Sequence, residues 1–460
     1  MNRGFILFGI LTAGLMLANP SYCSAATGDE ASNFLDTARQ TGVTIEEESG
    51  VQIWQGPATG KMKPVGPLSG KRIGILAASE FSDFQAYYLA SYLSEFGGEV
   101  VFILVDWITW KFTRPNIKSK GVQGMFGTSL DPIGVMGANA RHKWESMSKA
   151  DPNDYDALVI MGGHSADVMV ADSKVIDFIN AAHNNSAVIG SIGGGSLPLI
   201  RAGILNGRKV TGNRVVSFML KKIAKFEDVP VARDERIITA RDTVDTAAFV
   251  RQLCSVFDPD FIAKRKDILA GKKILIIAGE DFEDIELAVP VMEYLYRGAE
   301  ITLATFPTPV RSRPPLIGLD VVMGNYGLSV PFQEIPESYY KIVKLSEVRV
   351  EDYDVFQIPG AFCPWNMVVA DEPVQLLKRA YQNGKIIAAI CHGPIPVAAA
   401  DLVKGKKTTG WLACKDALEI MGGVYNWDWS AVVDGRIVTG RVPDDVPEFI
   451  DAVTVALLCQ

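Results

Sequence analysis

Cys391, a candidate nucleophile, and His392 beside it lie in the run Ala388-Ala-Ile-Cys-His-Gly-Pro394. The apolar stretch Lys385–Ile390 before them reads as a buried strand, and the small-residue run Pro394 to Ala400 after them as a helix. A cysteine at a sharp strand-to-helix turn is presented outward, close to backbone N–H groups and a helix N-terminus. Such surroundings favour thiolate over thiol. Gly393 lets the chain turn with no Cβ in the way. Two other strand ends would converge there. Val355–Ile358 runs into Pro359-Gly360-Ala361, whose N–H groups, with that of His392, would make an oxyanion hole. Lys273–Ala278 runs into Phe282-Glu283-Asp284-Ile285-Glu286, from which a carboxyl would reach Cys391 as a proton relay.

Each of these residues also has a plainer reading. Cys391 can pack as a small buried hydrophobe, His392 can matter only through its backbone, and Glu286 can be a charge favoured by a helix N-terminus. Glu283 reads as a solvated charge. Cys363 reads as a thiol packed in a loop, with a disulfide to Cys391 as the alternative. Trp427 and Trp429 read as packing residues that could also line a pocket.

The elements that must hold these groups occur twice, about 200 residues apart. Gly70-Lys-Arg-Ile-Gly-Ile-Leu matches Gly271-Lys-Lys-Ile-Leu-Ile-Ile, and Asp154-Tyr-Asp-Ala-Leu-Val-Ile matches Asp352-Tyr-Asp-Val-Phe-Gln-Ile. The matches keep their order, as a duplicated domain does. Short apolar runs alternate with helical stretches such as Leu287–Arg297 and Val374–Asn383, which predicts two tandem doubly wound (flavodoxin-like) α/β domains with mostly parallel sheets. Functional groups in such folds lie at the carboxyl ends of strands. The expected division is a signal peptide over 1–26, a linker or arm over 27–69, a degenerate copy over 70–257 and a catalytic copy over 271–460. In the first copy Cys391 corresponds to Gly193, His392 to Gly194, Glu286 to Gln85 and Glu283 to Ser82, so the chemistry is missing there. The Gly193-Gly194-Gly195 run lacks the spacing of a nucleotide loop. Long insertions near 106–153 and 307–350 are the kind that shape entrances or cover interfaces.

The chain has 460 residues, 45 Lys+Arg against 53 Asp+Glu and a net charge of −8. A mildly acidic chain without a basic run gives nucleic acid no general attraction. The first 26 residues carry Arg3, then an apolar run from Phe5 to Ala18 and small residues after it. That is the order of a secretory signal, and the run falls short of the ~20 residues of a spanning helix. The expectation is an exported protein, periplasmic or secreted, with no membrane contact after cleavage; an uncleaved anchor is the alternative. Loss of Cys23 with the signal would leave an odd five cysteines, hence an unpaired thiol. The four histidines lack metal-ligand spacing, so neither metal nor other cofactor is expected.

Ala-Ala-Ile-Cys-His-Gly-Pro at 388–394, Ile-Pro-Gly at 358–360 and Phe-Glu-Asp-Ile-Glu-Leu-Ala-Val-Pro at 282–290 closely resemble the PfpI-like family. That family, with a class I glutamine-amidotransferase-like fold, holds cysteine peptidases, glutathione-independent glyoxalases and protein deglycases. The likeness covers residues 272–460. It implies Cys391 as nucleophile, His392 as its neighbour, and Glu286, four residues before Pro290, as the acidic partner. It also implies an oxyanion hole at Gly360 and Ala361, where Ala361 departs from the usual second glycine. The activity implied is conversion of methylglyoxal to lactate through a Cys391 hemithioacetal, without glutathione, metal or nicotinamide, in a stress-response setting. A peptidase or amidase with the same nucleophile is the alternative, and a redox sensor or holdase that oxidises Cys391 to a sulfinic acid is a third. Expected partners are a small aldehyde or peptide substrate, the two copies paired as an intramolecular pseudo-dimer, and a second copy of the chain in a homo-oligomer.

Overall fold

The structure is a computed structural model describing residues 29–40, 43–56, 65–106, 122–125, 142–261, 265–309 and 321–460. The expected signal segment, 1–26, lies outside the described residues, as does most of the 106–153 insertion. Among the described residues no helix is long and apolar enough to cross a membrane.

Each copy is built on a mostly parallel sheet covered by helices on both faces. In the first copy the strands run in the order Val231–Asp234, Ile237–Ala240, Val188–Ile192, Ala157–Ile160, Arg72–Ala77, Glu99–Leu104, Lys143–Ser146. Only the pairing of Val231–Asp234 with Ile237–Ala240 is antiparallel. In the second copy Ala431–Asp434, Ile437–Gly440, Ile386–Ile390, Val355–Ile358, Lys273–Ala278, Glu300–Thr305 and Tyr340–Lys344 follow the same order. Central strands are apolar on both faces because helices cover both: Ile274, Ile276, Ile386 and Ile387 are all fully buried. The strand order reverses between Lys273–Ala278 and Val355–Ile358, and the carboxyl ends of these two strands and of Ile386–Ile390 bring the candidate residues together.

The segment expected as a linker is more structured than its sequence suggests. Asp29–Gln40 is a helix, and Thr44–Glu48 and Val51–Gln55 form a hairpin. Val51–Gln55 pairs antiparallel with Ala431–Asp434, so residues from before the first copy extend the sheet of the second to nine strands. Trp54 is fully buried there, and Phe34 lies against the guanidinium groups of Arg265 and Arg297. Two five-residue strands, one reading Thr-Ile-Glu-Glu-Glu, carry too little periodicity to be seen without the sheet edge that receives them.

The copies pack through Asp83–Glu95 and Thr246–Phe257 of the first against Asp284–Tyr296 and Val446–Leu458 of the second. An ionic cluster lies at the centre of this contact. Arg251 of the first copy donates to Glu293 of the second at 2.6 Å, and Tyr88 also donates to Glu293. Arg297 donates to Glu293 at 2.7 Å and to Asp451 at 2.6 Å. Glu293 and Arg297 are fully buried. The two guanidinium groups hold the Glu293 carboxyl below its ordinary range, against the opposing effect of burial. Removing one member of such a cluster leaves uncompensated buried charge, at a cost of about 3–5 kcal/mol. Glu293→Ala is therefore expected to destabilise the chain by about that much, read as a fall in the urea midpoint.

Candidate active site

The elbow has the strained backbone that its sequence implies. Cys391 follows Ile386–Ile390 with φ +60°, in the left-handed region that non-glycine residues seldom occupy, and Pro394–Ala399 begins three residues later. Its N–H donates to the Gly440 carbonyl at 2.9 Å, and its own carbonyl accepts from the Trp411 N–H at 2.8 Å and from the Cys414 thiol at 3.2 Å. These contacts hold the unusual φ in place. Gly393 must be glycine: a Cβ there would lie 2.6 Å from the Ile358 carbonyl oxygen and 2.7 Å from that of Ile390. Gly393→Ala is expected to displace the elbow and lower both melting temperature and turnover, while a conservative change at exposed Lys404 should alter neither.

Glu286 enters from the helix Asp284–Tyr296, two residues into its first turn. Glu283 caps that helix, accepting from the Glu286 N–H at 2.8 Å. Pro290 has no N–H to offer the Glu286 carbonyl, so the helix ladder is interrupted at the residue that faces the thiol. The Glu286 side chain accepts from the Gly360 N–H at 2.6 Å and lies close enough to the Cys391 thiol for each to shift the other's pKa. Its Oε1 is buried with no protein partner. Gly360 is the spacer that permits this approach: a Cβ would sit 2.7 Å from both the Cys391 Cβ and Glu286 Oε2, and 3.0 Å from the sulfur.

Burial pushes the Glu286 carboxyl up to about 8. It raises the Cys391 thiol well above its usual value too, and the neighbouring carboxyls of Glu286 and Glu283 act in the same direction, while the Ala361 N–H opposes them by donating to the sulfur. The two groups face each other in a dry site, and a proton held between them keeps the site from carrying two adjacent negative charges. His392 Nδ1 lies 3.4 Å from the sulfur, and burial lowers the pKa of its ring, which leaves a neutral imidazole at neutral pH.

Several expectations need correcting. Gly360 cannot serve the oxyanion, because its N–H is committed to Glu286. Ala361, at φ +58°, directs its N–H to the sulfur. Of the three expected donors, the N–H of His392 is the one that neither of these bonds engages. The elbow does not by itself favour thiolate, since burial outweighs the nearby N–H groups. Glu283 is a buried helix cap with its Oε1 unpartnered, not a solvated charge. Cys363 is a packed free thiol, as expected, but it opens the helix Cys363–Ala370 and does not lie in a loop; it accepts from the Gly279 N–H at 3.1 Å. The cysteine electrostatically beside Cys391 is Cys414.

Sequence reasoning missed Trp411 and Tyr326. The Trp411 ring lies 6.2 Å from that of His392 and 5.7 Å from that of Trp427, whose other neighbour is the Arg441 guanidinium at 5.3 Å. Trp427 thus packs behind Trp411, between it and Arg441. Tyr326 comes from the 307–350 insertion, which Asp284 anchors by accepting from the N–H groups of Tyr326 at 2.9 Å and Leu328 at 2.7 Å. Its hydroxyl is close enough for Glu283 and Cys391 to raise its pKa, after the larger effect of burial. A tryptophan behind a Thr-Thr-Gly run and a tyrosine in an irregular insertion carry no periodic signal. The match to the second strand–turn–helix copy is all that could have pointed to them.

The first copy keeps the scaffold without the reactive groups. Gly193 has φ +55° where Cys391 has +60°. Ser82 caps its helix as Glu283 does, accepting from the Gln85 N–H at 3.2 Å. Gln85 accepts from the Gly162 N–H at 2.8 Å, the bond that Glu286 makes with Gly360.

This doubly wound fold, duplicated and carrying a cysteine elbow in its second half, defines a class, and sequence comparison supplies the family. The DJ-1/PfpI family model matches residues 71–255 and again 272–456, so the chain belongs to that family. It is 25% identical to Protein DJ-1 homolog D of Arabidopsis thaliana over 325 residues, covering 68% of this chain and 81% of that one. It is 29% identical to Deglycase PfpI of Pyrococcus furiosus over 174 residues, covering 38% of this chain and 92% of that one. It is 33% identical to the Putative cysteine protease YraA of Bacillus subtilis over 179 residues, covering 39% of this chain and 94% of that one. Among the described residues no cluster of three or more His, Cys, Asp or Glu side chains is placed to hold a metal ion.

Proposed function

We propose that the second copy is a glutathione-independent glyoxalase acting on small reactive carbonyls, with Cys391 as nucleophile. The observation that carries this reading is the enclosed contact of Cys391 with Glu286. The cysteine is only 6% exposed, and a small aldehyde reaches such a thiol more readily than a polypeptide does.

The thiol proton passes to Glu286 as the sulfur bonds to the aldehyde carbon of methylglyoxal. The oxygen takes that proton back, with the His392 N–H stabilising it as charge develops, and a hemithioacetal results. Glu286 then removes the proton on the former aldehyde carbon. The electron pair moves through an enediol, and protonation of the neighbouring carbon leaves a lactoyl thioester on Cys391. Water cleaves the thioester, releasing lactate and restoring the thiol. One carbon is oxidised and its neighbour reduced, so no outside electron acceptor is required. His392, neutral beside the sulfur, assists the proton movements.

The family's other chemistry gives the runner-up, since one relative is named a putative cysteine protease. Lactate release from methylglyoxal by the purified chain, without glutathione, tests the proposal against cleavage of small peptide amides. Lactate formation supports the glyoxalase. Amide cleavage without lactate formation would replace it with the hydrolase.

The order of the first 26 residues supports export of the chain. Fractionation of the expressing cell tests this, and recovery of the chain with cytosolic markers would contradict it.

A further inference from the structure

Outside the Cys391 site, a cavity of about 880 Å³ lies over the vacant elbow of the first copy. One wall is Gly163, Gly193 and Gly194; the facing wall is Phe332–Glu337, contributed by the second copy. Glu334 fixes this wall in place, accepting from the Asp83 N–H at 3.1 Å and from the Ser82 hydroxyl. The cavity is therefore composite, completed by a segment of the other domain.

Its floor is intact and its chemistry is deleted. Gly193 holds the elbow conformation with no side chain, and the nearest group to a Cβ placed there is the Asn213 amide nitrogen at 3.2 Å. A Cβ on Gly194 would meet nothing nearer than the Gly163 carbonyl oxygen at 3.6 Å. Gln85 keeps the Gly162 bond with its oxygen and donates to the Thr243 hydroxyl at 3.0 Å with its nitrogen. An amide cannot relay a proton as a carboxyl does. A ligand bound here would meet no thiol at the elbow and no carboxyl at the place that Glu286 holds in the second copy.

The lining also has a definite sign. Asp167, Asp242 and Glu337 contribute carboxylates to it beside the Glu80–His164 pair, while Glu334, its carboxyl pushed up to about 8 by burial, is spent on Ser82 and the Asp83 N–H; no lysine or arginine lines it among the described residues. The single basic group, His164, lies 3.2 Å from Glu80. Leu197, Val215 and Ile335 provide apolar surface between the carboxyls. A volume of this size, apolar with a few convergent polar groups, is typical of small-molecule sites. The surplus of carboxyls selects a cation and disfavours an anion.

We propose that this cavity binds, without turning over, a small organic cation: a primary ammonium or guanidinium group on a short apolar body. The cationic end meets Asp167 and Glu337 at the mouth, and the body lies over Gly193 and Gly194. The site does not depend on the activity assigned to Cys391.

Calorimetric titration of the full chain with agmatine, with butyrate as the anionic control, tests it. Agmatine is expected to bind saturably at one site per chain, equally well in Cys391→Ala, and butyrate not to bind. Asp167 and Glu337 are exposed, so the double variant D167N/E337Q should fold normally and bind agmatine about tenfold more weakly. Gly194→Phe should fill the cavity and abolish binding while leaving the Cys391 site intact; if that variant melts early, the exposed charge pair decides alone. No saturable binding up to about 10 mM would overturn the proposal. So would a preference for butyrate, or agmatine affinity that neither change alters.

Discussion

Cys391→Ala is expected to abolish lactate formation from methylglyoxal, a loss on the order of 10⁴-fold or more, because no other group can form the covalent adduct. The first copy offers no substitute, having Gly193 at the elbow and Gln85 in place of the acid. Cys254, Cys363 and Cys414 are buried free thiols, and burial pushes the pKa of both Cys363 and Cys414 up to about 12. The substitution is small and the site is already tight, so the melting temperature should hardly move. Residual turnover within tenfold of the unaltered chain would mean that the chemistry lies elsewhere.

The second large effect separates the two properties that Glu286 combines. Glu286→Gln keeps the shape, and the amide oxygen can still accept from Gly360, as Gln85 does from Gly162. Above about 8 it removes a negative charge beside the sulfur, so Cys391 should ionise at lower pH and be alkylated faster by iodoacetamide on the alkaline side. It also removes the proton relay, so turnover should fall about 10²- to 10³-fold. A more reactive thiol in a much slower enzyme is the signature expected.

The pH dependence follows from the same group. The carboxyl is held up to about 8, so it carries a proton below that value and loses it above. The form that accepts the thiol proton is the carboxylate, so turnover of the unaltered chain should rise as the pH climbs through about 8 and level off above it, and Glu286→Gln should lack that rise. Equal losses of thiol reactivity and turnover would instead assign Glu286 a purely structural role.

Much of this arrangement was legible in the residues. The strand–helix alternation and the internal repeat predict two doubly wound domains, and the runs ending at Ile390, Ile358 and Ala278 mark the strand ends that converge. Contact between Cys391 and Glu286 follows from their strands flanking Val355–Ile358 on either side in the sheet. What the residues did not reveal depends on three-dimensional enclosure. The raised thiol pKa arises from burial that a one-dimensional pattern does not record. The loss of Gly360 as an oxyanion donor arises from one hydrogen bond whose partner is 74 positions away. The hairpin at 44–55 exists because the edge strand Ala431–Asp434 accepts it, far along the chain. Tyr326 reaches the site only because Asp284 holds the insertion by its backbone.

The central claim is that Cys391 is the one thiol that meets the carbonyl substrate. The most direct measurement is the rate of iodoacetamide labelling at each cysteine, mapped by peptide mass, with and without methylglyoxal. The account predicts that Cys391 is labelled before Cys254, Cys363 and Cys414, and that methylglyoxal slows labelling at Cys391 alone. Faster labelling at another cysteine, or no protection of Cys391 by methylglyoxal, would contradict it.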